Sequence, residues 1–164
     1  MDFKQIPLIF LFGLASCTTY SLGNGIAPDG RPVCLTDCED IPAAIEAFKQ
    51  SHTLGSERDE IDYLLYRIRS SDAKLYRNGS TYNGSDAARF LRWKLGWWYK
   101  TYHEVIDTDE DFVAKVLRGS KKSGEPYQIN FPDGSRHNAQ SIMQNELNVL
   151  NSQSEMRSLP GSPR

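Results

Sequence analysis

The chain has 164 residues, a formal charge of −2 and a mean hydropathy of −0.53. That length predicts a single domain able to bury a core of its own. The near-neutral charge excludes generic nucleic-acid binding, which needs a basic excess, and after the N-terminus no apolar run is long enough to span a bilayer.

Residues 1–16 read as an export signal. Lys4 gives a positive start, weakened by Asp2, and Ile6 to Leu14 is an apolar core too short to cross a membrane. Leu14-Ala15-Ser16-Cys17 then has the form of a bacterial lipobox. Cleavage would leave Cys17 as the first, lipidated residue, and several acyl chains on one cysteine anchor stably. Thr18, in place of Asp, follows the sorting rule of enteric lipoproteins for the outer membrane. The alternative is a plain secretory signal with a chance cysteine, giving a secreted protein without a lipid anchor. Residues 17–33 are rich in Gly, Pro, Ser and Thr and read as a lipidated Cys followed by a flexible tether.

A single globular domain is expected over 34–151. Cys34 and Cys38 are the cysteines left once Cys17 is lipidated, and in an oxidising compartment they point to a structural disulfide. Free thiols and redox chemistry stay open, although a redox pair more often has two intervening residues than three. Asp40 to Gln50 predicts a helix, with Pro42 in its first turn. Ser56-x-x-Asp59 is a capping-box variant ahead of a stripe of Ile61, Leu64, Leu65 and Ile68 that ends near Ser71.

The stretch from Leu75 to Leu95 contains two turn dipeptides, Asn78-Gly79 and Asn83-Gly84, around Ser80-Thr81-Tyr82. This predicts a compact loop or a very short extended piece. Ser85 reads as a helix N-cap with Asp86 in the first turn. From there Ala87, Ala88, Leu91, Leu95, Trp98 and Tyr102 recur at helical spacing, while Phe90, Trp93 and Trp97 add a second apolar row. So wide an apolar arc predicts a central helix covered on more than one side.

Further on, Thr108 caps a helix whose first turn holds Asp109, Glu110 and Asp111 and whose core face is Phe112, Val113, Val116 and Leu117. Ser120 to Gly124 reads as a loop. Tyr127, Ile129 and Phe131 alternate with polar residues as a strand does, and Asp133-Gly134 closes it. Asn138 to Asn151 predicts a last helix, and residues 152–164 a disordered tail. The expected fold is therefore mainly α, with four or five helices and a short strand or β-hairpin near the C-terminus.

Tyr76-Arg77-Asn78-Gly79-Ser80, Tyr82, Ala87-Ala88, Leu91-Arg92 and Lys94-Leu95-Gly96 recur here with the spacing of a known pattern. So do Ile106-Asp107-Thr108, Glu110, Phe112-Val113, the Ser120 to Gly124 loop and Pro126-Tyr127. Over roughly residues 57–131 the chain resembles the YfeK-like family of small bacterial envelope proteins. The family has no established activity, so the resemblance implies a location and a fold and leaves the chemistry open. The family often has His where this chain has Phe90, and no role for that His carries over. The segment Trp97 to His103 stands as extra residues before Ile106.

No catalytic constellation emerges. His52, His103 and His137 lie at no metal-ligand spacing, Gly-x-Ser-x-Gly is absent, and no cofactor is implied. The acidic run Asp107 to Asp111 lacks the glycine and spacing of a calcium loop and is explained by helix-start electrostatics. Lys121 and Lys122 sit in a loop after a helix C-terminus, where the dipole opposes an anion. The strongest candidate is aromatic. Trp93, Trp97, Trp98, Tyr99 and Tyr102 are hard to bury from one helix, and those in water would form a binding surface. Arg77, Arg89 and Arg92 lie near enough in sequence to face an anionic glycan, a peptide or lipid headgroups, and Asn78 is a further candidate binding residue. The same rings also suit plain packing in a small core. The expected function is a non-catalytic bacterial envelope lipoprotein, held in the membrane by Cys17, facing the periplasm and binding an envelope protein or glycan. A small envelope hydrolase or amidase with an unrecognised site is the rival, and a purely structural accessory is the third reading.

Overall fold

The computed structural model describes residues 22–158, so the export signal, Cys17 and the last residues of the tail lie outside the described residues. A 3-10 turn, Cys38–Asp40, leads into α1 (Ile41–Lys49) and then α2 (Glu57–Ser70). A hairpin of β1 (Lys74–Arg77) and β2 (Ser80–Tyr82) follows, then the long α3 (Gly84–Tyr102). The short α4 (Asp109–Asp111) continues as a π-helical turn, Phe112–Val116. Strands β3 (Gln128–Asn130) and β4 (Arg136–Asn138) precede α5 (Ala139–Ser158). None of the helices among the described residues is long and apolar enough to cross a membrane.

The four strands form one antiparallel sheet in the order β2-β1-β3-β4. This corrects the expectation of a mainly α chain with one short strand or hairpin near the C-terminus: the protein is mixed α/β, and half of its sheet comes from mid-chain. The reason lies in strand length. Strands of three or four residues show at most two alternations, too few to stand out as a period of two. Only the turn is visible in the sequence. Asn78 and Gly79 have φ of 49° and 80°, the paired positive angles that let a two-residue turn follow the twist of a hairpin. Leu75, Ile129 and His137 lie in register across the sheet and are buried beneath the helices.

Caps set the helix starts. Ser56 and Asp59 make the reciprocal capping box, and Thr108 Oγ1 accepts from Asp111 N at 3.1 Å. The α3 cap is Asn83, not Ser85: its Oδ1 accepts from Asp86 N at 2.9 Å. The helix thus begins at Gly84, where the backbone runs against the end of α2. A Cβ at Gly84 would stand 2.3 Å from the Ile68 carbonyl oxygen. Leu91 and Leu95 are both buried, as their helical spacing requires. Trp97 to Tyr102 form the uninterrupted last turns of α3.

Cys34 and Cys38 form a disulfide with Cα atoms 5.3 Å apart. The described part of the 17–33 stretch lies against the domain. Gly23 pairs with the β4 edge, donating to Arg136 O and accepting from Asn138 N, both at 2.8 Å. Gly25 N donates to His137 Nδ1 at 3.2 Å, and Asn145 Nδ2 donates to the carbonyls of Gly25 and Val33. At the other end, α5 continues past Asn151 to Ser158.

One buried ion pair joins these parts. Glu146 of α5 has no solvent exposure. Its Oε1 accepts from Leu35 N at 2.8 Å, and Arg67 of α2 donates to both its oxygens at 2.9 and 3.2 Å. Arg67 Nη2 also donates to Thr36 Oγ1 at 2.8 Å. Removing one partner leaves the other charge buried without compensation, which costs about 3–5 kcal/mol. Glu146→Leu is therefore expected to lose stability of that order in urea unfolding. Arg67→Met combined with Glu146→Leu is expected to lose less than Glu146→Leu alone.

Candidate functional site

Phe90, Trp93 and Trp97 follow one another at three and four residues along α3 and so lie on one face. Their rings form a row, Phe90 to Trp93 at 6.0 Å and Trp93 to Trp97 at 6.3 Å, which continues to Tyr102 at 5.7 Å. Phe90 also meets the buried Tyr127 edge-on at 5.9 Å. This row walls a cleft of about 410 Å³ whose other lining residues include Arg77, Lys94, Lys121 and Lys122. Trp93 remains 60% exposed and Trp97 half-buried.

The cations are spread over the rings. The Arg77 guanidinium lies 4.1 Å from the Phe90 centroid, Lys94 Nζ 4.5 Å from that of Tyr127, and Lys121 Nζ 4.6 Å from that of Trp98. Each geometry is favourable for a cation over an aromatic face. No carboxylate lines the cleft. Among the described residues Arg77, Lys94, Lys121 and Lys122 form no ion pair, and Arg77 Nε is buried without a hydrogen-bond partner. The cleft is therefore an aromatic wall with uncompensated positive charge.

Lys94 is its unusual member. It stands between Leu91 and Trp98 on the core side of α3 and is only 3% exposed. The π-helical turn leaves carbonyls at its end unpaired, and Lys94 Nζ donates to two of them, Val116 O at 2.6 Å and Gly119 O at 2.8 Å. Burial, then repulsion from Lys121 and Arg77, pulls its pKa down to about 8. The carbonyls and the Tyr127 ring favour the ammonium and temper that fall. Ser120 nearby is buried, and its Oγ accepts from the backbone of Lys122 and Ser123 at 3.3 Å. It thus closes its own loop and forms no hydroxyl–amine dyad with Lys94.

The residues singled out by the sequence divide. Arg77, Trp93 and Trp97 meet in the cleft. Trp98 belongs to the core instead, with its Nε1 donating to Glu104 Oε2 at 3.0 Å, and offers only its ring to Lys121. Tyr99 is 56% exposed but lies outside the cleft lining. Asn78 holds the hairpin turn and accepts from Ser123 Oγ at 2.9 Å. Arg92 is paired with Asp62 of α2 at 2.9 Å and lines a different depression. The sequence reading missed Lys94, Lys121, Lys122 and Tyr127 as cleft residues. For Lys94 a signal was present, a lysine inside the apolar arc of an otherwise amphipathic helix.

A titration follows. In the unfolded chain the lysine holds its proton up to about 10.4, whereas folded Lys94 releases it near 8. The penalty for a buried ammonium is thus full below 8 and disappears as pH rises toward 10.5. Through this group stability rises with pH across that window. The difference in unfolding free energy between wild type and Lys94→Met is expected to change by on the order of 2 kcal/mol between those limits, measured by denaturant melts at fixed ionic strength.

No curated protein and no solved structure matches this chain. One family does, over residues 55–151, a span that holds α2, the hairpin, α3, every cleft residue and the Arg67–Glu146 pair, but not the disulfide. The chain belongs to that family, DUF5329, a family of unknown function.

Proposed function

We propose that this protein is a bacterial envelope lipoprotein, acylated on Cys17 and facing the periplasm from the outer membrane, whose domain binds an anionic glycan in the α3 cleft. The observation that carries the binding reading is the pairing of an exposed aromatic wall with four cations that form no ion pair among the described residues. Sugar rings present C–H faces that pack on indoles, and acidic sugars add carboxylates or phosphates that Arg and Lys hold by charge-assisted hydrogen bonds. An exposed apolar row of this size is unfavourable in water unless something covers it. The lipobox around Cys17, the length of the preceding apolar core and the likeness to YfeK-like envelope proteins support the location. The Cys34–Cys38 disulfide agrees with an oxidising compartment. The hydrolase reading gains nothing from this cleft, which presents neither a base beside a nucleophile nor a carboxylate pair.

Two measurements test the two halves. Tryptophan fluorescence of the full chain is expected to respond to soluble peptidoglycan fragments bearing free carboxylates and not to neutral chitooligosaccharides. Affinity is expected to fall as salt rises. Trp93→Ala is expected to weaken binding by about tenfold or more and Lys121→Glu to weaken it further, as losses at interface hot spots do. Equal response to neutral and acidic glycans, or binding by both variants at wild-type strength, would remove the proposal. Separately, wild type is expected to incorporate radioactive palmitate and sediment with membranes, and Cys17→Ala to do neither. If the two behave alike, the anchor is refuted while the cleft reading stands.

A further inference from the structure

The acidic run at 107–111 holds one residue that helix-start electrostatics does not explain. Asp109 is only 1% exposed. It opens α4 and sits beside Glu57, which opens α2, with Asp109 N donating to Glu57 Oε2 at 3.3 Å. Glu60, one turn along α2, also reaches the Asp109 carboxyl. One carboxylate oxygen from each of Glu57, Asp109 and Glu110 lies within 4.8 Å of the other two. Asp109 Oδ1 accepts from Glu110 N at 2.7 Å, while Oδ2 is buried with no hydrogen-bond partner. Among the described residues no Lys, Arg or His forms an ion pair with Glu57, Glu60, Asp109 or Glu110. A buried carboxylate oxygen among like charges, with no cation from the protein, is an arrangement that a bound metal would complete.

We propose that Glu57, Asp109 and Glu110 bind a calcium ion, with Asp109 Oδ2 as the innermost ligand. All-oxygen donors select a hard cation. Calcium–oxygen bonds of about 2.3–2.6 Å let two oxygens of one shell stand up to about 5 Å apart, so the three carboxylates meet its span as they are. Magnesium, at about 2.1 Å, needs every pair within about 4.2 Å and a stricter octahedron. Glu57 and Glu110 are exposed, so water can enter and fill the remaining positions. The positive starts of α2 and α4 weaken a cation's hold, but each already has its own acceptors, in the Ser56–Asp59 box and in Thr108. Without a cation, burial and the three neighbouring glutamates push the Asp109 carboxyl up to about 9, and a proton takes the metal's place.

The test uses the full chain freed of metal with EDTA and dialysed, then melted at neutral pH while calcium chloride is titrated, with magnesium chloride at matched ionic strength as comparison. Calcium is expected to raise the melting temperature by roughly 3–6 °C at about ten times its dissociation constant, and magnesium by less. Equilibrium dialysis with radioactive calcium is expected to find one ion per chain. Asp109→Asn keeps the size of the side chain and the Oδ1 acceptor for Glu110 N, so in EDTA it is expected to melt no lower than wild type and to show no calcium response. Glu57→Gln with Glu110→Gln alters only exposed side chains, and is expected to fold normally and lose at least tenfold in calcium affinity. A wild-type melt unmoved by calcium up to about 10 mM, beyond the weakest usual protein sites, would overturn the proposal and leave a protonated carboxyl there. So would a Glu57→Gln/Glu110→Gln protein that answers calcium as wild type does.

Discussion

Glu146 must be satisfied from inside the protein, because no water reaches it. Its two oxygens do this with three hydrogen bonds from two distant parts of the chain, the Arg67 side chain and the Leu35 backbone. An isolated buried carboxylate would cost many times what a packed leucine contributes, so the docked position of α5 depends on α2 and on the disulfide-bearing segment. The pair therefore ties together elements that hydrophobic contact alone would leave free to slide. Thr36, held by the same guanidinium, extends that tie to the turn next to Cys38. The first helix and the N-terminal strap are positioned by this clasp, and the sheet edge at β4 receives the strap through Gly23 and His137.

Charge elsewhere is distributed by a different logic. The two notable unpaired groups have opposite sign and lie in different places: a cluster of cations along α3 and the hairpin, and a knot of carboxylates where α2 and α4 begin. Lys94 belongs to the first and is half structural, since it closes the end of the π-helical turn with two hydrogen bonds while contributing positive charge to the cleft floor. A side chain with both duties ties the cleft's electrostatics to the packing of the segment after α4. Among the described residues the acidic knot has no such compensation.

Much of this was legible in the residues, and the failures have physical causes. The helical stripes of α2 and α3 place Ile61, Leu64, Leu91 and Leu95 in the core, where they are found, because a helix repeats its pattern over many turns. Of the hairpin, Ser80 to Tyr82 was legible as a very short extended piece, but β1 did not show, because four residues cannot repeat a pattern and its other neighbour is β3, more than fifty residues away in sequence. For the cleft, the aromatic row was visible on one helix, but three of its four cations come from the hairpin and from the loop after Gly119, which adjoin it only after folding. Arg92 and Asn78 were drawn in by nearness along the chain, yet a few residues of helix or turn point them elsewhere. Asp109 looked like its neighbours Glu110 and Asp111, and only its burial against Glu57 separates it from them.

The close passage of Gly84 across the end of α2 bears on how this chain is free to vary. No side chain fits there, because the obstacle is the backbone carbonyl of Ile68 and not a flexible group that can turn aside. Even a methyl would have to push the helices apart along the seam where the start of α3 meets the end of α2. A relative that carries any other residue at this position must cross its second and third helices at a wider separation. Such a relative must fill the gap with larger side chains along that seam, so a single substitution in an alignment would announce a group of correlated ones.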